Sequence, residues 1–260
     1  MITALRGMKD ILSPEESAKF TYFIEVASRI ARRYGHRYVE APLLEETQLF
    51  KRSVGESSDI VGKEMYRFTD KGDNDVCLRP EGTAGVVRAV IEGKLDKAGG
   101  IHRFFYAGPM FRYERPQKGR LRSFHQFGVE SFGEASVYED ISLIAMLCDI
   151  FDTLGIGYRL EINSLGCLEC MPDYRQKLVG FLKSVEDELC DDCKRRITTN
   201  PIRVLDCKNP HCQEVLAGAH KITDHLCTTC NDDFGTLTGT LEALGIPYSV
   251  NKNLDRKSVV

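Results

Sequence analysis

The spacing of hydrophobic and polar positions changes several times along this chain, and each change predicts an element. Phe20, Phe23, Ile24, Ala27 and Ile30 recur at helical spacing behind Ser13-Pro14-Glu15-Glu16. That opening predicts an N-cap at Ser13, proline at the first helical position and a capping box closed by Glu16. Arg32 and Arg33 suit the negative end of the helix, and Gly35 stops it. Residues 37–44 predict a strand running into a turn at Pro42, and the segments 65–68 and 76–80 predict a hairpin about Gly72. Ala84 to Glu92 predicts a helix closed by Gly93, with Thr83 as candidate N-cap. Tyr106 to Tyr113 and Ser123 to Phe132 predict two long strands separated by Pro116 and Gly119. Ser136-x-x-Glu139 is a second capping box, opening a helix that carries Ile141, Ile144, Ala145, Leu147 and Cys148 and ends at Gly155. Residues 158–162 alternate as a strand. From about Cys167 to Phe234 the chain turns cysteine-bearing, charged and helical in pattern, which reads as an inserted domain. Leu237, Leu241 and Leu244 predict a last helix, and residues 247–250 a last strand.

The chemistry concentrates in the long hairpin. Period two places Phe124, Gln126, Gly128 and Glu130 on one face of the second strand, and His125, Phe127 and Val129 on the other. Polar Gln126 and Glu130 beside apolar neighbours read as groups that contact a substrate. The intervening loop carries Arg112, Arg115, Lys118, Arg120 and Arg122. Guanidinium forks bind phosphate oxygens in pairs, so the loop suits a polyphosphate; a solvated basic hairpin is the competing reading.

Composition narrows the class without choosing within it. At 260 residues the chain is long enough for one large domain or two. No stretch approaches a membrane span and the first residues lack a secretory apolar region, so a cytoplasmic location is expected. The net charge of −3 leaves nucleic-acid binding to local basic faces such as the hairpin loop or Lys194-Arg195-Arg196. Of ten cysteines, Cys77 and Cys148 sit in apolar surroundings and read as core. Cys167-x-x-Cys170 and Cys190-x-x-Cys193 form one pair of knuckles nineteen residues apart, which fits four-cysteine zinc sites. Cys207, His211, Cys212, Cys227 and Cys230 offer a second set. Two four-cysteine sites would use all eight of these thiols, their pairing left open. A reducing compartment disfavours disulfides, and free structural thiols are the alternative.

Phe111-Arg112-x-Glu114 followed by Gly119-Arg120-x-Arg122-x-Phe124-x-Gln126-x-Gly128-x-Glu130 resembles motif 2 of class II aminoacyl-tRNA synthetases. The Glu-Arg-Pro-Gln-x-Gly-Arg form at residues 114–120 is similar to the histidyl-tRNA synthetase family, as are Leu78 to Thr83 and the Gly7-x-x-Asp10 opening. The first helix, following strand and Pro42 resemble motif 1, the family's dimer interface.

The resemblance implies an α+β fold: a class II antiparallel β-sheet flanked by helices, with a mostly helical cysteine-rich insertion. It divides the chain into a catalytic core at 1–165, an insertion at 166–236 that contacts the tRNA acceptor arm, and a return to the core at 237–260. It implies a ligase that activates histidine with ATP and Mg²⁺ and passes it to histidine tRNA, as a homodimer. Arg112 takes the catalytic role at the α-phosphate and also lies among the histidine-binding residues with Glu81, Gly82, Thr83, Gln126 and Glu130. Arg112, Glu114 and Arg120 form the ATP set. The eight cysteines remain candidate ligands of a structural Zn²⁺ outside the chemistry. Two alternatives stay open: the synthetase-like regulatory subunit of ATP phosphoribosyltransferase, and a zinc-stabilised tRNA-binding module. The resemblance ends after Leu254. The family continues with its histidine-specific motif, motif 3 and an anticodon-binding domain, where this chain has residues 255–260. The 260-residue chain alone is therefore expected not to complete aminoacylation.

Overall fold

The computed structural model describes residues 2–55, 60–252 and 254. Residues 255–260, where the resemblance stops, lie outside them. The chain divides into two compact units, 1–156 and 157–260.

The first unit opens with helix α1 (Pro14–Arg33), whose Ser13 side chain accepts from the Glu16 backbone N–H at 3.1 Å. Strand β1 (Arg37–Tyr38) and strand β2 (Leu44–Glu46) follow. They belong to different sheets, so the single strand expected at 37–44 is divided. The physical reason lies in Arg79, only 6% exposed. Its guanidinium donates to Ala41 O at 2.8 Å and Pro109 O at 3.0 Å, and its backbone N–H donates to Leu43 O at 2.9 Å. The chain around Pro42 is thus bound by a side chain where a ladder would otherwise continue. Helix α2 (Thr47–Val54), a π-helical turn (Ile60–Glu64), strands β3 (Arg67–Thr69) and β4 (Asp75–Leu78), and helices α3 (Thr83–Glu92) and α4 (Leu95–Ala98) come next. Strands β5 (His102–Phe111) and β6 (Ser123–Phe132) form the long hairpin, and helix α5 (Val137–Leu154) closes the unit.

One sheet has the order β1-β5-β6, with β1 parallel to β5 and β5 antiparallel to β6 over ten residue pairs. The other has the order β2-β4-β3, all antiparallel. Alternation on β5 buries both faces. Phe105 packs with Val26, Ala27, Ile30 and Ala31 of α1 and Met146 and Ile150 of α5. Phe104, Tyr106 and Met110 pack with Val86 and Val90 of α3. Strand β6 obeys the same split: Phe127 and Val129 face the first cluster, Phe124 and Phe132 the second. Cys77 and Cys148 are buried, as read from their apolar surroundings.

The second capping box is only half formed. Ser136 Oγ accepts from the Tyr138 N–H at 3.2 Å. The Glu139 carboxylate instead pairs with Arg103, whose Nε donates at 3.0 Å, and accepts from Ser131 Oγ at 2.7 Å. Arg103, then burial in opposition, then Ser131 set its acidity, and the balance holds Glu139 below the ordinary carboxylate value.

In the second unit, strands β7 (Leu160–Ile162) and β8 (Tyr248–Val250) pair in parallel. Between them run helices α6 (Cys170–Ser184), α7 (Asp191–Thr199), α8 (Pro210–Leu216) and α9 (Thr228–Ala243). Their core gathers Tyr174, Leu178, Leu182, Leu189, Ile197, Val204, Leu216 and Ile222 with buried Cys170, Cys193, Cys207 and Cys212. Helices and small sheets in both units give the α+β class expected from the sequence. Among the described residues no helix is long and apolar enough to cross a membrane.

Candidate active site

Glu81, Gly82 and Thr83 stand where β4 gives way to α3. Gly82 occupies the N-cap and has no side chain to offer the free helix N–H groups. The Glu81 carboxylate accepts them instead, from Thr83 N at 2.7 Å and Ala84 N at 2.9 Å. Glu81, and not Thr83, therefore caps this helix. The Thr83 hydroxyl is left to hydrogen-bond Glu130 on β6.

Glu130 and Gln126 share one face of β6, two residues either side of Gly128, as the period predicts. Burial raises Glu130 above the ordinary carboxylate value, hydrogen bonds from Thr83 and Tyr106 pull the other way, and the nearby charge of Glu81 adds to the rise. Gln126 Oε1 is buried and has no hydrogen-bond partner in the structure. Such an acceptor is costly to hold unless something supplies a donor.

Tyr106, which in sequence is only the start of an apolar strand, stands at the centre of this group. Its ring, 7% exposed, belongs to the α3-side cluster, and its hydroxyl meets Glu130 and Thr83. Burial first, then the charge of Glu130, pushes the hydroxyl up to about 12. Tyr106 lies directly across the ladder from Gly128. A Cβ at Gly128 would come within 2.8 Å of Tyr106 Cε1 and nearer still to Cζ; one at Gly82 would come within 2.6 Å of its Oη. Both glycines are thus required by one ring. The predicted strands carry no register, so the pairing of Tyr106 with Gly128 is visible only in the structure.

Arg112 follows β5. Its Nε donates to Pro80 O at 2.9 Å, and its guanidinium lies 5.2 Å from the ring centre of Phe124. Phe124 is two residues from Gln126 on the same face, so Arg112 stands next to the Gln126–Glu130 row. Glu114 lies 3.9 Å from Arg112 Nη1 and accepts from Arg120 Nη1 at 3.3 Å. The Arg120 side chain is otherwise largely exposed. Arg122 turns inward: its guanidinium sits 3.7 Å from the Tyr113 ring centre and its Nε donates to Glu114 O at 3.1 Å. The opening segment docks on this loop, for Gly7 O accepts from Arg122 N at 2.8 Å. Gly7 has φ +85°, and a Cβ there would meet the Arg122 side chain. Glu81, Gly82, Thr83, Gln126 and Glu130 therefore converge, and Arg112, Glu114 and Arg120 gather beside them.

The eight insertion cysteines form two groups that could hold a metal ion, but not in the sequence-neighbour pairing. Cys167, Cys170, Cys227 and Cys230 make one; Cys190, Cys193, Cys207 and Cys212 make the other, the ligand atoms of each within 4.8 Å of one another. Helix α6 runs between the two knuckles closest in sequence, and they fall in different groups. His211 stays outside both groups, exposed on α8. Backbone donors lower two thiols: Cys170 to about 6, chiefly through the Cys227 N–H, and Cys190 to about 7, chiefly through the Cys193 N–H.

Comparison with known proteins agrees with this geometry. The histidyl-tRNA synthetase family model matches residues 7–178. The histidine–tRNA ligase of Sulfurimonas denitrificans is 66% identical over 98% of this chain, and that of Campylobacter fetus subsp. fetus 60% over the same share. The chain spans 63% and 62% of the length of these two curated relatives. The solved apo histidyl-tRNA synthetase of S. aureus superposes with a TM-score of 0.79 at 35% identity, covering 98% of this chain and 58% of that one. A Bacillus halodurans protein titled ATP phosphoribosyltransferase regulatory subunit/histidyl-tRNA synthetase, at 20% identity and a TM-score of 0.65, shares the fold. The family model, the close relatives and the hairpin bearing Arg112, Gln126 and Glu130 lead to one conclusion: the chain belongs to the histidyl-tRNA synthetase family.

Proposed function

We propose that this chain supplies the amino-acid-activating centre of a histidine–tRNA ligase. The observation that carries the reading is the β6 face, where the unpartnered Gln126 carbonyl and half-buried Glu130 lie two residues either side of Gly128. Glu130 and Gln126 take the imidazole and amino ends of histidine in a buried setting that leaves polar groups unpaired with other amino acids. Thr83 and the Glu81 carboxylate supply acceptors for the α-ammonium. Glu81 does so while capping α3.

ATP lies along the loop, its α-phosphate against Arg112, its adenine toward Glu114 and its outer phosphates toward Arg120, with Mg²⁺ carried on the phosphates. A histidine carboxylate oxygen attacks the α-phosphorus as the bond to the bridging oxygen of pyrophosphate breaks. Arg112, held by Pro80 O and Phe124, is preorganised for the charge on the transferring phosphoryl group. The terminal ribose hydroxyl of histidine tRNA then attacks the acyl carbon and AMP leaves. The cysteine-rich segment contacts the tRNA acceptor arm and holds structural Zn²⁺. The α1–β1–Pro42 unit, with Tyr22, Tyr38, Leu43 and Leu44 exposed on it, forms a homodimer interface in the cytoplasm. Glu130→Ala tests the reading: histidine KM rises at least tenfold while ATP KM holds. An unchanged histidine KM removes Glu130 from the site.

A further inference from the structure

We propose that the cysteine-rich segment carries two nested four-thiolate zinc sites, an outer clasp formed by Cys167, Cys170, Cys227 and Cys230 and an inner staple formed by Cys190, Cys193, Cys207 and Cys212. This rests on the reading of the cysteines as zinc ligands and adds their grouping, number and separate roles. The geometry fits the ion. Zinc–thiolate bonds of about 2.3 Å in a tetrahedron put the sulfurs about 3.8 Å apart. Cys167 and Cys170 are 3.6 Å apart, Cys167 and Cys227 3.8 Å, and Cys190 and Cys207 3.8 Å. A disulfide needs about 2.05 Å, and all ten cysteines are free thiols.

The backbone around each group already points N–H donors at the sulfurs. Cys227 N–H donates to Cys170 Sγ at 3.1 Å and Glu169 N–H to Cys167 Sγ at 3.3 Å. In the inner group, Cys190 N–H donates to Cys212 Sγ at 3.3 Å. Bonds of this kind orient ligands and offset the negative charge of four sulfurs on one dication. Cys190 and Cys227 are the N-cap residues of α7 and α9, so each second knuckle cysteine, Cys193 or Cys230, falls one turn inside its helix.

The two sites do different work. The outer one joins the segment that leaves β7 to the helix that leads to β8, closing 56 intervening residues between Cys170 and Cys227. The inner one lies wholly inside that loop and closes only 13 between Cys193 and Cys207. Segments of this size build small cores and commonly need a metal or crosslink. Accessibility differs as well: the inner group has three buried cysteines and half-buried Cys190, whereas the outer has only Cys170 buried, with Cys167 exposed and Cys227 and Cys230 half-buried. Zinc therefore leaves the outer site first.

The test measures zinc and iron per chain on protein as purified, then removes metal stepwise with a chelator and maps thiol alkylation at each step by mass spectrometry. Expected are two zinc ions and no iron, with the first released ion exposing Cys167, Cys170, Cys227 and Cys230 as a set. The inner four label only after the second ion leaves. Cys193→Ser/Cys212→Ser retains one zinc. Should that variant fail to fold, the alkylation map of the unaltered chain decides alone. A metal-free protein in which all eight thiols label at once overturns the zinc reading and the inference with it. Iron in place of zinc overturns the ion. One zinc per chain, labelling of Cys167 and Cys170 together with Cys190 and Cys193, or the inner set labelling first overturns the nested arrangement while leaving zinc in place.

Discussion

Gly128→Ala is the sharpest structural perturbation of the proposed site. The new methyl would stand 2.8 Å from Tyr106 Cε1 and nearer to Cζ and Oη, against about 3.5–4.0 Å for resting carbon contacts. The ring cannot give way easily, because Gly82 borders its Cε2 edge as Gly128 borders its Cε1 edge. Forcing a methyl into such packing costs about 1–3 kcal/mol. At about 2–4 °C per kcal/mol for a chain of this size, the melting temperature falls by about 2–12 °C. Displacing the ring also takes its hydroxyl from Glu130 and Thr83, so histidine KM rises more than ATP KM. The assay is a double-mutant cycle by denaturant unfolding. With the ring removed in Tyr106→Ala, Gly128→Ala should become neutral or stabilising by about 0.5–1 kcal/mol, because alanine loses less chain entropy than glycine in a strand. An equal loss in both backgrounds would refute the assignment of these glycines to the Tyr106 ring.

Arg112→Ala should lower histidine-dependent adenylation by about 10²- to 10³-fold or more, with the circular dichroism spectrum unchanged, since its charge acts in the transition state; near-normal exchange would remove Arg112 from the chemistry. Glu139→Gln should destabilise the chain by about 1–3 kcal/mol at pH 7, discounted because Arg103 is partly exposed. Glu139 is held below its ordinary value of 4.5, so its contribution is present above that pH and disappears as pH falls through the lowered value. Melting curves of the two proteins should converge in acid, and a gap independent of pH would contradict the ion-pair account.

Much of this was legible in the sequence because local signals and tertiary packing agree. Ser13, Pro14 and Glu16 announce α1, and the period of two on β6 separates Phe127 and Val129 from Phe124 correctly. Reading fails where a side chain serves a distant partner. Glu139 has capping-box spacing but meets Arg103 thirty-six positions away. Arg79, unremarked in sequence, divides an expected strand by bonding Ala41 O and Pro109 O. Tyr106 looks like one more core aromatic until its strand partner is known to be Gly128. The cysteine knuckles show the same limit. Spacing identifies a metal-binding pattern, yet only the path of α6 through α9 decides that the first knuckle closes with the last.

The β5–β6 hairpin and the start of α3 are proposed to activate histidine at the expense of ATP. The most direct measurement is exchange of labelled pyrophosphate into ATP by the intact gene product that carries this sequence, with and without each amino acid. The expected exchange depends on histidine, is absent with the other amino acids and is lost in Arg112→Ala. Histidine binding without exchange, or exchange driven equally by another amino acid, would contradict it.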